Sequence, residues 1–329
     1  MHRRKPDNRR RAFTSGMLAM LGAGALPRMA WGQEGFPSRP IKVVVPFTPG
    51  SASDAASRFF GEKMSQTLGQ AVIVENKPGA GGTIAAQLVK AAPADGYTIL
   101  LGNISLMTVN PVLMKNPGYD PLADFKPLSG LVVTHGALVV PNESPYRTVA
   151  ELMEASRKRP LNFGTFSPAY SLAAAYLANM ADAKIENIPY KGQSPLTTDL
   201  IGNQLDAAFF DVSGMLSTLQ SGRVRVLAVT GRNRNVGLPD IPTLNELGFK
   251  GYAHESWVGF FTHIGTPDAA AGKLTAVLQD SLKTPEAAEY ARQTAVELFP
   301  YPPNQLKDFV ASEIARFRRI ADQAGMEAT

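Results

Sequence analysis

The chain contains no cysteine. That absence excludes disulfide frameworks, cysteine-ligated zinc, thiolate nucleophiles and iron–sulfur centres together, though it assigns no compartment. Histidine is nearly as scarce. His2, His135, His254 and His263 are all there are, and none shows a metal-ligand spacing such as His-x-x-x-His. Each reads as structural or exposed. The usual general bases and nucleophiles are therefore few. There is no P-loop, and Ser167 is followed by Pro168, which rules out a nucleophile elbow. No run reaches the roughly 20 apolar residues needed to span a bilayer. Together these absences favour binding over bond-making chemistry, with no metal and no cofactor expected.

Among 329 residues, 44% are hydrophobic and 19% charged, the balance of a globular protein long enough for two domains. The basic excess is local. Seven Lys or Arg and one acid, Asp7, fall within residues 1–32, a net of +6. The whole chain is +5, which leaves −1 for the remainder. That remainder gives no support to nucleic-acid binding. The first 32 residues read as an export signal: a basic start, the short apolar stretch from Gly16 to Leu26, then Ala30-Trp31-Gly32. Arg10-Arg11-Ala12-Phe13 fits the twin-arginine pattern, with an ordinary secretory signal as the alternative.

The segment from Ile41 to Arg58 organises the rest of the chain. A β-branched run, Ile41 to Val45, predicts a buried strand. Pro46, Pro49 and Gly50 then turn the chain, and Ser51, Ser53 and Asp54 open a helix. Strand, tight loop and helix N-terminus together present backbone N–H groups and the positive end of a helix dipole. Such a place holds a small anion without a charged side chain. Further on, strands and helices alternate, predicting a parallel sheet with helices on both faces. Asn110 to Lys126 reads as a long surface connection, with strands at Leu128 to Val133 and Ala137 to Val140 and a capping box at Thr148 and Glu151. Pro303 to Gln323 reads as a docked terminal helix with one wide apolar face.

Four loops lie at strand ends, where open α/β sheets bind ligands: Phe47 to Asp54, Pro78 to Thr83, Thr165 to Ser171 and Tyr190 to Ser194. Each is rich in Gly, Ser or Thr, residues that any turn or cap also requires. Asp54 is open to three roles: orienting its loop, meeting a ligand donor, or partnering the helix dipole. Lys191 is the one cation in a candidate loop and meets either an anion or solvent. Asp211 either accepts from a ligand amine or hydroxyl, or caps the next helix. Gly79 to Gly82 follows a strand and precedes a helix, but Ile84 stands where a dinucleotide fingerprint needs its third Gly or Ala.

The succession RPIKVVVPFTPGSASDAASR, VENKPGAGGTIAAQLV, ADGYTILLGN, IPYKGQSPLTTDLIGNQLD, LAVTGRNR, LPDIPTLNELGF and SWVGFF resembles the Bug family, the extracytoplasmic solute-binding receptors of tripartite tricarboxylate transporters. The likeness runs from about Arg39 to the last helix. It implies a type II-like periplasmic binding protein fold, two α/β domains with a ligand cleft between them. Domain 1 is expected over 33–135 plus 253–329, and domain 2 over 136–252. Hinge crossings are expected near Thr134 to Ala137 and Lys250 to Glu255. The resemblance further implies a carboxylate held by main-chain amides and hydroxyls.

Carried over by position, the site comprises Phe47, Thr48, Pro49, Gly50, Ser51 and Asp54, then Gly81, Gly82 and Ser105, then Thr165, Ser167, Tyr190, Lys191 and Gly192. Ser53, Tyr170, Ser171 and Asp211 complete it from the local reading. The chain departs from the family pattern at Ser51, where a second Gly is usual, and in the loop from Thr165 to Leu172. There Ser171 replaces a His, and Phe166 and Tyr170 offer aromatic surface. The expected role is a monomeric periplasmic receptor that passes a small organic acid to membrane permease subunits or to a sensor. Two other readings stand beside it: an exported nucleotide-dependent oxidoreductase using residues 79–82, and a surface interaction protein with a degenerate cleft.

Overall fold

Ile41, Val43, Val44 and Val45 are fully buried, and they form β1 (Ile41–Val45). Successive side chains point to opposite faces, so Val44 joins one apolar cluster and Val43 and Val45 another. A strand covered on both faces explains the unbroken β-branched run. The structure, a computed structural model, describes residues 35–328. The export signal read at 1–32 lies outside the described residues.

After β1 come α1 (Ala52–Leu68), β2 (Val72–Asn76), α2 (Thr83–Lys90), β3 (Thr98–Asn103), α3 (Asn110–Leu113) and the long β4 (Phe125–Pro141). The chain continues through α4 (Val149–Lys158), β5 (Leu161–Thr165), α5 (Pro168–Ala181), β6 (Ile185–Pro189), α6 (Gln193–Ile201), β7 (Ala207–Asp211), α7 (Val212–Gln220) and β8 (Val224–Val229). It returns with β9 (Glu255–His263), α8 (Asp268–Ser281), α9 (Pro285–Thr294), β10 (Glu297–Leu298) and α10 (Pro303–Gln323).

The sheet order is β2-β1-β3-β9-β4-β7-β5-β6, with β10 and β8 also pairing to β4. The expected all-parallel arrangement is corrected to a mixed one. β1, β2 and β3 are parallel, as are β5, β6 and β7, but β9 runs antiparallel to β3 and β4, and β4 antiparallel to β7 and β8. The returning strand reverses direction because it arrives from the far half of the chain rather than through a helical crossover.

The two strands read at 128–133 and 137–140 are one. β4 pairs with β9 as far as His135 and with β7 from Gly136 onward, so a single strand serves both halves of the sheet. Thr230 ties this exchange point together. Its hydroxyl accepts from Gly136 N–H at 2.8 Å and lies 2.5 Å from His254 C=O, while His254 N–H donates to Thr230 C=O at 2.8 Å.

The surface connection read at 110–126 is also corrected. Ser105–Val109 is a π-helical turn leading into α3, and Leu106, Met107, Val109, Asn110 and Tyr119 are all buried. Asn110 donates to Gly81 C=O at 2.9 Å, and Tyr119 donates to Leu106 C=O at 2.5 Å. Asn110 and Tyr119 thus belong to a packed turn, while Lys115, Asn116, Gly118, Asp120 and Ala123 lie at the surface as read.

The capping box at Thr148 and Glu151 is present, as is the terminal helix. α10 buries Leu306, Val310, Phe317, Ile320 and Ala321. It also buries Glu313, whose carboxylate takes the Arg316 guanidinium in two bonds of 2.7 and 2.6 Å.

Main chain lies close to two strand glycines. Gly130 and Gly259 face each other across β4 and β9; the segment after β10 passes over Gly130, and β4 itself crowds Gly259. A Cβ at Gly130 would stand 2.5 Å from Phe299 C=O, and one at Gly259 would stand 2.8 Å from Ser129 C=O. Both obstacles are main chain, which cannot rotate away. Gly130→Ala is expected to lower unfolding free energy by about 2 kcal/mol, the range for overpacking a filled site. Urea denaturation of the two proteins checks this.

Candidate ligand-binding cleft

The C-terminal ends of β1 and β3 on one side, and of β5, β6 and β7 on the other, open onto a common cleft. Its inner part has a cavity volume of about 30 Å³ and is walled by Thr48, Ser51, Ser53, Asn103, Ser105, Ser167, Tyr170, Gly192, Gln193, Asp211 and Ser256, with Phe47 and Phe166 beside them. The outer part has a cavity volume of about 610 Å³, shares Phe47, Thr48, Phe166 and Ser167 with the inner part, and adds Gly81, Gly82, Thr165, Ser171, Tyr190 and Lys191.

Four helices begin on the inner wall. Ser51 caps α1, Ser167 caps α5, Gly192 precedes α6 and Asp211 precedes α7. The first N–H groups of a helix have no intrahelical acceptor. At α1, Asp54 N–H is taken by Ser51 Oγ at 3.2 Å, and Ala55 N–H by Ser51 C=O at 2.9 Å. Ala52 and Ser53, whose N–H groups have no intrahelical acceptor, line the inner part. No Lys or Arg lines the inner part. The positive potential there comes from helix termini.

Asp54 fixes this loop from behind. It is buried and lines neither part of the cleft. Its carboxylate accepts from Gly50 N–H at 3.0 Å, Asn76 Nδ2 at 2.9 Å, and Arg58 Nε and Nη2 at 3.0 and 2.9 Å. Asn76 also donates to Phe47 C=O at 2.9 Å. Burial pushes the Asp54 pKa up, and the Arg58, Gly50 and Asn76 donors more than offset that, holding it below the ordinary aspartate value. Of its three open roles, the structure supports loop orientation.

Asp211 sits at the end of β7 and is 9% exposed. It makes no cap bond to α7, so the capping alternative is set aside. One oxygen accepts the short hydrogen bond of Tyr170 Oη. Burial pushes the Asp211 pKa up to about 6, against the opposing effect of the Tyr170 and Ser256 hydroxyls. Burial, then Asp211, pushes the Tyr170 phenol well above its usual range.

Most sequence-derived residues come together, in two tiers. Phe47, Thr48, Ser51, Ser53, Ser105, Ser167, Tyr170, Gly192 and Asp211 face the inner part. Gly81, Gly82, Thr165, Ser171, Tyr190 and Lys191 face the outer part only. Pro49, Gly50 and Asp54 face neither; they shape the turn, with Gly50 at φ 82°. Among the outer residues, Thr165 Oγ1 lies 2.9 Å from Ser171 Oγ and donates to Asn187 Oδ1 at 2.7 Å. Tyr190 donates to Asp199 at 2.7 Å, and Lys191 is exposed. Asn103, Gln193 and Ser256 also line the inner part, and sequence reasoning missed them. Gln193 had a signal, standing beside Gly192 at a helix start. Ser256 had none, because β9 reaches the cleft from the end of the chain.

The two sides touch around the rim. Ala169 N–H donates to Ser105 Oγ at 3.3 Å. A Cβ at Gly192 would stand 3.5 Å from Thr48 Oγ1, and one at Gly81 would stand 3.1 Å from Pro168. The two sides therefore meet at these three points. His135 and His254 are buried near the strand exchange, and burial lowers both pKa values, that of His254 to about 3. No group of three His, Asp or Glu able to hold a metal ion occurs among the described residues.

This geometry has counterparts. The family model described as "Tripartite tricarboxylate transporter family receptor" matches residues 56–326. The chain belongs to that family. A curated relative, the UPF0065 protein of the tcbD-tcbE intergenic region in a Pseudomonas species, is 34% identical over 330 residues, covering 97% of each chain. Among solved structures, R. palustris Rpa4515 with adipate is 30% identical at a TM-score of 0.86, covering 89% of this chain and 100% of that one. The periplasmic binding protein BugD is 33% identical at a TM-score of 0.84, covering 89% and 100%. The Bug-family resemblance and the two-part periplasmic binding protein fold are thus established for this receptor.

Proposed function

We propose that this receptor captures a small carboxylate-bearing solute outside the cytoplasm, between lobes formed by residues 33–135 plus 253–329 and by 136–252. The carrying observation is the start of α1: Ala52 and Ser53, whose N–H groups have no intrahelical acceptor, line a cavity that no basic side chain lines. A carboxylate there gains two main-chain donors and the α1 dipole. Thr48, Ser51, Ser53, Ser105, Ser167 and Gly192 supply the surrounding hydroxyls and backbone. Phe47 and Phe166 flank the solute, and the outer residues, Lys191 among them, form its entrance. The binding of adipate by a relative of the same fold supports this reading.

The solute is released to membrane permease subunits or a sensor when the lobes part at the β4 exchange and the approach to β9. The export signal at 1–32 and the family both support a periplasmic location; no helix among the described residues is long and apolar enough to cross a membrane. The glycine loop at 79–82 forms a wall of the outer cleft, and Asn110 ties it down. Nothing there favours the oxidoreductase alternative.

Thermal unfolding with a panel of mono- and dicarboxylates tests the proposal. A ligand at 100 times its dissociation constant adds about 2.7 kcal/mol of stability, readily seen as a raised Tm. No shift with any carboxylate would defeat it.

A further inference from the structure

We propose that the solute carries, besides its carboxylate, a hydrogen-bond donor (hydroxyl, amide N–H or ammonium) that Asp211 accepts. The inference rests on the carboxylate reading above and concerns the opposite wall of the same cavity.

The two walls are chemically unlike. The α1 side offers main-chain donors. The facing side presents Asp211, an acceptor-only group when ionised, in a cavity with no Lys or Arg on its walls. Tyr170 Oη occupies one of its oxygens, and the Ser256 hydroxyl lies beside it. Asp211 is 9% exposed and is among the residues lining the inner cavity; it also lines a neighbouring cavity with Ala52, Ser53, Thr134, Ser213 and Ser256. It is not used as a helix cap.

Two like charges in a confined, poorly hydrated gap repel strongly. A plain dicarboxylate would set its second carboxylate against this one. A hydroxyl or N–H reverses the sign of that contact, since an ionised acceptor forms a charge-assisted bond. Sites built around a buried polar group reject analogues that lack its partner far better than apolar pockets reject a missing methylene. Asp211 is thus the specificity-determining residue on the second wall, and Tyr170, behind it, is a positioning residue.

Calorimetric titration of the solute-free protein decides this, using matched sets: succinate against malate and aspartate, glutarate against 2-hydroxyglutarate and glutamate, benzoate against 3-hydroxybenzoate. In at least one set the donor-bearing member is expected to bind at least about tenfold tighter than its parent, equivalent to about 1.4 kcal/mol. Asp211→Asn keeps an acceptor for Tyr170 but removes the charge and adds an N–H. It is expected to shrink that ratio to about threefold or less, a loss within the range for one charge-assisted hydrogen bond. Parents binding as tightly as their donor-bearing partners in every set would overturn the inference while leaving the carboxylate reading intact. An unchanged ratio in the variant would do the same. Failure of every compound to bind would overturn both. The ratio in the unsubstituted protein decides the matter even where Asp211→Asn does not fold.

Discussion

Asp54→Ala is expected to weaken carboxylate binding by at least about tenfold while destabilising the fold by only about 1 kcal/mol, although Asp54 touches neither part of the cleft. The substitution removes the acceptor of Gly50 N–H and one acceptor of the Asn76 amide. Gly50 is exposed, and Asn76 is half-buried and keeps Phe47 C=O, so water and that partner limit the loss to about 1 kcal/mol, the net value of one hydrogen bond. Arg58 adds little, because its side chain is 54% exposed and water replaces the lost partner. The effect on binding is larger than the effect on stability. Gly50 and Asn76 hold the turn that sets Ala52 and Ser53 at the cavity wall, and main-chain donors bind only when preorganised. Chemical denaturation and ligand titration on the same preparation check the two halves of this expectation.

The same carboxylate sets a pH dependence. Its folded-state pKa lies below the ordinary aspartate value. Its contribution is therefore complete above about pH 4, near the unfolded pKa, and is lost as pH falls through the lower folded value. Asp54→Asn removes this acid-limb component, so its deficit relative to the unsubstituted protein shrinks toward low pH.

Local chemistry made the first loop legible. A β-branched run, two prolines, a glycine and a serine cap have few ways to fold, and the chain takes the expected one. Thr148 with Glu151, and the apolar face of α10, were legible for the same reason, since period and cap lie within a few residues of each other. Neither β4 nor β9 could be read that way. The partner exchange at Gly136 depends on which strands lie alongside, β9 up to His135 and β7 from Gly136, and both come from far later in the chain. Asn110, in the connection read at 110–126, misled because Asn and Pro mark a bend whether it is exposed or buried. Only packing against Gly81 and Tyr119 distinguishes the two. Tyr170 suggested aromatic surface in the cleft from sequence, yet it is 2% exposed. Its hydroxyl is turned to Asp211, 41 positions away, a pairing that no local pattern carries.

That pairing gives Tyr170→Phe an expected cost of about 2–3 kcal/mol at pH 8, set by the loss of a hydrogen bond to a buried charged group. The loss is expected to depend on pH with a definite sign. Asp211 has a folded-state pKa raised to about 6, against about 3.9 unfolded, so between these values the folded protein holds the extra proton. Its contribution to stability therefore falls as pH rises through that window, by about 3 kcal/mol for a shift of two units. Tyr170 opposes this by favouring the ionised form. Without its hydroxyl the folded pKa rises further and the fall continues to higher pH. The variant should lie nearer the unsubstituted protein at pH 5, where Asp211 is largely protonated, and separate from it at pH 8. Asp211→Asn should flatten this component in either background. A deficit for Tyr170→Phe that is equal at both pH values would show that the phenol fills space and does not govern the carboxylate.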